Sequence, residues 1–148
     1  MMIPETHPVA SETLILEQLQ RLADAFNAHD LDTLMTLFAD DCVLEMPRGP
    51  EPCGKRHVGR QAVRAALAER FAGLPDVHYA DLRHVVAGTI GVSRWTVSGT
   101  APDGTRVQAN GCDLYTFDTS ARVVNKDSYW KLVEPGAASA APAPARRC

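Results

Sequence analysis

Between Val77 and Val133 the chain is almost continuously β-patterned, interrupted only by short turns. The segments Val77–Ala87, Ile90–Ala101 and Arg106–Asp118 are separated by Gly88 and by Pro102-Asp103-Gly104. A last segment, Arg122–Val133, follows the turn Asp118-Thr119-Ser120-Ala121. Long strands joined by tight turns pair as an antiparallel meander. Such strands twist and curl, so the sheet acquires a concave face that needs cover.

The N-terminal half supplies that cover. Ser11 is positioned to cap a helix running to about Ala28, with Ile15, Leu19, Leu22, Ala23 and Phe26 on one stripe. Asp30 caps a second helix reaching about Phe38 and carrying Leu31, Leu34 and Met35 at helical spacing. A strand follows from Cys42 to Met46, stopped by Pro47, Gly49, Pro50 and Pro52. The polar loop onward to Gly59 is expected to be mobile. A third helix runs from Arg60 to Gly73, burying Val63, Ala66, Leu67 and Phe71, and Pro75 prevents its continuation.

Helices first and strands afterwards mark an α+β domain: three N-terminal helices packed on a strongly curved, mainly antiparallel β-sheet. Helices that close a curled sheet leave a cavity at its open end, suited to a small apolar molecule. Residues 1–10 read as a flexible leader, 11–134 as the domain, and 135–148 as a disordered Ala/Pro-rich tail.

A chain of 148 residues fits one core, and its net charge of -3 without sustained basic runs argues against nucleic-acid binding. Cys42, Cys53, Cys112 and Cys148 have no Cys-x-x-Cys spacing and no histidine at a zinc-ligand interval, so reduced thiols and no metal are expected. His78 and His84 share strand parity, but two ligands are too few for a metal site. No signal peptide and no bilayer-spanning apolar run are evident, which makes the cytoplasm the expected compartment.

Alternation along Arg106–Asp118 puts Val107, Ala109, Gly111, Asp113, Tyr115 and Phe117 on one face. An aspartate among such neighbours is either buried and paired or buried and protonated. If Phe117 faces Arg122 across the last turn, Asp113 faces Lys126, and Lys126, Ser128 and Trp130 line the same cavity. A one-residue slip would exchange Lys126 for Asp127 and Trp130 for Tyr129. Beside Asp113, Lys126 forms a salt bridge in preference to acting as a desolvated amine. Trp95 is expected inward with Ser93, Val97 and Gly99, the glycine leaving room for a ligand. His57 falls in the loop at the pocket mouth, and Arg94 points to solvent.

Several segments carry a family resemblance. They are Asn27-x-x-Asp30-Leu31-Asp32, then Leu37-Phe38-Ala39-Asp40-Asp41 before a short strand ending in Pro47, then Gly59-Arg60-Gln61-Ala62-Val63-Arg64 and Asp113-Leu114-Tyr115-Thr116-Phe117. Over about Glu12 to Leu132 the chain resembles the NTF2-like superfamily, the cystatin-like cone that includes SnoaL-like polyketide cyclases and ketosteroid isomerases. The isomerase branch implies a general base where this chain has Met46, a phenol where it has Leu22, a second oxyanion donor at Asp113 and an inward aromatic at Trp130. Methionine moves no proton and leucine donates no hydrogen bond, so steroid isomerisation is not expected.

The resemblance instead implies an apolar pocket lined by Met46, Trp95, Tyr115, Lys126 and Trp130. Asp113 would be the acid or hydrogen-bond donor of a cofactor-free isomerase, cyclase, dehydratase or hydrolase. It also implies a homodimer formed through the convex sheet face. A non-catalytic ligand-binding or dimeric interaction module on the same fold is the alternative.

Overall fold

The computed structural model describes residues 9–136. The expected leader and tail lie mostly outside that range, although Ala10 is buried in the core. Helix α1 (Glu12–Asn27) is capped by Ser11, whose side chain accepts from the Leu14 amide at 3.1 Å. Helix α2 (Leu31–Leu37) is capped by Asp30, which accepts from the Thr33 amide at 3.1 Å and its hydroxyl at 2.6 Å. Between them His29 takes a left-handed φ of 53° and its Nε2 lies 2.6 Å from the Val77 carbonyl oxygen.

The remaining elements are β1 (Phe38–Glu45), β2 (Arg56–Val58), α3 (Arg60–Gly73), β3 (His78–Ala87), β4 (Ile90–Thr100), β5 (Arg106–Phe117) and β6 (Val123–Trp130). They form one mixed sheet in the order β2-β1-β6-β5-β4-β3. Among the described residues only β1 and β6 pair in parallel; every other pairing is antiparallel. This is the α+β cystatin-like cone, with three helices on a curved six-stranded sheet.

The structure changes four local expectations. First, β1 starts at Phe38 rather than Cys42, because Phe38 pairs with Val123 before a bulge resets the register at Val43. Second, the loop after β1 is a hydrogen-bonded reversal: the Met46 amide donates to the Lys55 carbonyl at 2.9 Å, and the Lys55 amide to the Arg48 carbonyl at 3.0 Å. It returns the chain as β2. Gly54 makes this possible, with φ of 74° and a position where a Cβ would lie 1.9 Å from the Met46 carbonyl oxygen.

Third, Asp81, with φ of 54°, sits in a register shift between Ala80 and Arg83. The bulge turns His84 inward while His78 stays exposed, so the two histidines do not share a face. Fourth, Gly99 leaves no room for a ligand, because Leu74 and Asp76 occupy that space, with a Leu74 methyl 3.3 Å from where a Cβ would be.

The main core joins the two first helices and α3 to the sheet through Ile15, Leu19, Leu22, Leu34, Phe38 and Val63, all at or near zero exposure. A smaller cluster of Leu74, Val77, Trp95, Val97 and Ala109 closes the other end of the concave face. Asn27 stitches α1 to the edge strand β3: its Nδ2 donates to the Tyr79 carbonyl at 2.9 Å, and its Oδ1 accepts from the Tyr79 amide at 2.8 Å. That contact occupies edge groups that would otherwise be free to pair with another chain. Among the described residues, no helix is long and apolar enough to cross a membrane.

Candidate functional site

Strands β5 and β6 build the polar centre of the cone. Tyr115 pairs with Lys126, Asp113 with Ser128, and Gly111 with Trp130. All of these face the concave side, as the sequence predicted, but the direct partner of Asp113 is Ser128 rather than Lys126. The last turn is one residue longer than expected and a bulge follows it between Thr116 and Phe117. Two one-residue displacements restore the parity and move the register by two.

Asp113 is 5% exposed and accepts three hydrogen bonds. Trp95 Nε1 donates to Oδ2 at 2.9 Å. Lys126 Nζ and Ser128 Oγ donate to Oδ1 at 2.8 and 2.6 Å. Lys126 Nζ also donates to Ser128 Oγ at 2.7 Å, closing a triangle. Three donors, one of them an ammonium, suit a carboxylate, which is an acceptor-only group. The buried, paired arrangement is therefore the one the structure shows. The ammonium also lies 5.3 Å from the Phe26 ring centroid and 5.9 Å from that of Tyr115, both within cation–π range.

Aromatic rings extend from this centre towards the mouth. Tyr79 meets Trp95 edge-on at 5.1 Å, and Trp95 meets Trp130 edge-on at 5.8 Å. Gly111 makes room for the Trp95 indole: a Cβ there would fall 2.6 Å from the ring. Burial is the main cause that pushes the Tyr79 and Tyr115 phenols well above their ordinary pKa, and the Asp113 charge adds to it. Both therefore stay neutral near pH 7.

The inner cavity beside Asp113 is nearly filled, with a volume of about 20 Å³, room for about one water. Met46, Trp95, Asp113, Lys126 and Trp130 line it together, and Tyr115 borders a smaller void behind Asp113. Met46, Ala66, Arg70 and Trp130 form a neck shared with an outer vestibule of about 490 Å³. His57 lines that vestibule, as expected of a residue at the mouth.

Two polar residues that line the inner cavity escaped the sequence reading, Arg70 and Tyr79. Arg70 stands one turn beyond Ala66 and Leu67 on the buried stripe of α3, and a charge in that stripe was the available signal. Tyr79 alternates with buried Val77 at the start of β3. Among the described residues, no cluster of His, Cys, Asp and Glu is arranged to hold a metal.

Comparison with known proteins agrees with this fold. A sequence model of the SnoaL-like domain matches residues 19–125. An NTF2-like protein of unknown function from Mesorhizobium loti is 32% identical, with 84% of this chain and 97% of that one covered and a TM-score of 0.67. A proposed polyketide cyclase from Xanthomonas campestris pv. campestris shares the fold at 18% identity, covering 81% of this chain and 92% of its own, with a TM-score of 0.72. A proposed isomerase from Bacillus subtilis does so at 16% identity, covering 82% and 89%, with a TM-score of 0.69. Among curated proteins none matches this chain. The chain belongs to the SnoaL-like family of the NTF2-like superfamily.

Proposed function

We propose that the chain binds an apolar small molecule in its cone and transforms it with side chains alone, as an isomerase, cyclase, dehydratase or hydrolase. The observation that carries this reading is the buried Asp113–Lys126–Ser128 triangle set among aromatic rings. Lys126 has three ammonium protons and directs two of them to Asp113 and Ser128. The third is free to polarise a carbonyl or leaving oxygen, and its effect is strongest where water is excluded. Asp113 then balances and positions the ammonium, Tyr115 packs behind it, and Met46, Trp95 and Trp130 shape the apolar wall. Steroid isomerisation is outside this reading, because Met46 stands where the base would be needed.

The three donors on Asp113, which occupy most of the acceptor capacity of its carboxylate, favour a second reading, a ligand-binding module without turnover. Exposed Ile90, Leu114 and Tyr129 on the outer sheet face support pairing of two copies under either reading. A monomer at micromolar concentration in sedimentation would refute the pairing.

The test compares wild type with the double variant D113N/K126Q, which keeps polar side chains of similar length without the charges. Both are assayed for binding and turnover on a panel of apolar enones and β-dicarbonyl compounds. Turnover by wild type that disappears in the double variant, with binding retained, supports the catalytic reading. Binding without turnover supports the module, and turnover unchanged in the variant removes the triangle from the mechanism.

A further inference from the structure

We infer that the ligand of this cavity carries a carboxylate at its outer end and that Arg70 is the group that holds it; the inference rests on the small-molecule role proposed above. Among the described residues the vestibule is lined by Arg48, Lys55, Arg70 and His57 and by a single carboxylate, Glu69. The chain as a whole has a net charge of -3, so this concentration of cations at one opening runs against the overall balance. Clefts lined by one sign of charge focus the field and raise the local concentration of the opposite ion. The reversal after β1 keeps two of these cations together at the rim, through the 3.0 Å bond from the Lys55 amide to the Arg48 carbonyl.

Arg70 is distinct among them. It is half-buried at the neck, lining both the inner cavity and the vestibule. Its guanidinium lies 4.8 Å over the Trp130 ring. Arg56, Arg64 and Lys126 each have a carboxylate within ion-pair distance, but among the described residues none lies within that distance of Arg70. A partly desolvated cation without a counter-ion is costly unless an anion completes it. The cation–π contact with the Trp130 indole holds the guanidinium at the neck, and a guanidinium is the side chain suited to bidentate pairing with a carboxylate. A ligand seated at the neck would place its carboxylate on Arg70 and its apolar body against Met46 and Trp130, with only a carbonyl-sized group entering the water-sized space beside Lys126.

Calorimetric titration of acid and amide pairs tests this, using benzoate with benzamide, naphthalene-2-carboxylate with its carboxamide, and decanoate with decanamide. For at least one pair, wild type binds the acid about tenfold more tightly than the neutral amide, the scale of a charge-assisted hydrogen bond. R70M loses that preference and binds acid and amide alike, while an unfolding midpoint equal to that of wild type reports that the fold is intact, and R70K keeps part of it. Equal binding of acid and amide by wild type, or a preference that survives in R70M, overturns the inference and leaves the proposed function standing. Failure of every compound to bind overturns both.

Discussion

Lys126 and Asp113 are joined diagonally across β5 and β6: the lysine stands opposite Tyr115, and its ammonium reaches two residues along the neighbouring strand to Asp113 Oδ1 at 2.8 Å. Diagonal neighbours on one face of a sheet are within reach of a long side chain. The reach carries the ammonium past the Tyr115 ring and brings it into direct contact with Asp113, with Ser128 Oγ bonded to both charges. Both charged side chains are less than a tenth exposed. The attraction must therefore offset a desolvation cost for each ion, and the pair specifies geometry more than it adds stability.

Removing one partner should be far worse than removing both. Asp113→Leu leaves a buried ammonium and Lys126→Met leaves a buried carboxylate, so each single variant is expected to lose about 3–5 kcal/mol of unfolding free energy. The double variant should lose less than either single one. Urea denaturation of all four proteins measures this; losses that add in the double variant would mean that the two charges are not coupled.

The architecture was legible because its signals are long. Eleven-residue alternation in β4 and the three-four spacing of α1 each repeat often enough to define a face. The inward set Asp113, Lys126 and Trp130 was legible for the same reason, since parity survives any even shift of register. What escaped depended on single residues. Strand β2 has three residues, too few to show alternation, and it exists because Gly54 permits a turn that packs against the Met46 carbonyl. The displaced pairing of Asp113 comes from a bulge at Thr116/Phe117, and the divergence of His78 from His84 from a bulge near Asp81. A bulge costs one residue of register and has no pattern of its own. The space beside Gly99 could not be read from its strand, because the atoms filling it belong to Leu74 and Asp76 in the α3–β3 connection.

Trp95 is expected to contribute through its indole nitrogen as well as its area. Its bond to Asp113 Oδ2 is made to an ionised acceptor in a buried site. Trp95→Phe should therefore cost about 1.5–3 kcal/mol for the hydrogen bond, with a further loss for the smaller ring. Denaturant unfolding would show it. A variant as stable as wild type would mean that Lys126 and Ser128 alone satisfy the carboxylate.

Gly111 controls where that indole lies. A methyl group there would meet the Tyr129 carbonyl oxygen at 2.4 Å and the Trp95 ring at 2.6 Å, and the first of these contacts is with backbone. Gly111→Ala should lower stability by about 1–3 kcal/mol and shift the tryptophan emission, since the displaced ring alters the Trp95–Trp130 contact as well. An emission spectrum and an unfolding curve identical to wild type would contradict the close approach.

His84 should make stability depend on pH near neutrality. The Asp81 bulge turns the ring inward, where Nδ1 lies 2.8 Å from Ser93 Oγ and Nε2 is buried with no partner among the described residues. Burial lowers its pKa below the ordinary 6.5, opposed only in part by the charge of Asp24. A histidine with a lower pKa in the folded state binds protons more readily when unfolded. Its contribution is therefore present above the unfolded value and is lost as pH falls through that value towards the folded one. The aspartates whose carboxyls are held below their usual range, Asp30, Asp76 and Asp103, lose their contributions only at more acid pH. Melting temperature measured from about pH 7.5 to about pH 5 should thus fall more steeply for wild type than for His84→Gln, which cannot titrate in that window. The other histidines are common to both proteins and cancel in the comparison, so parallel curves would show that the buried ring accepts its proton at no cost.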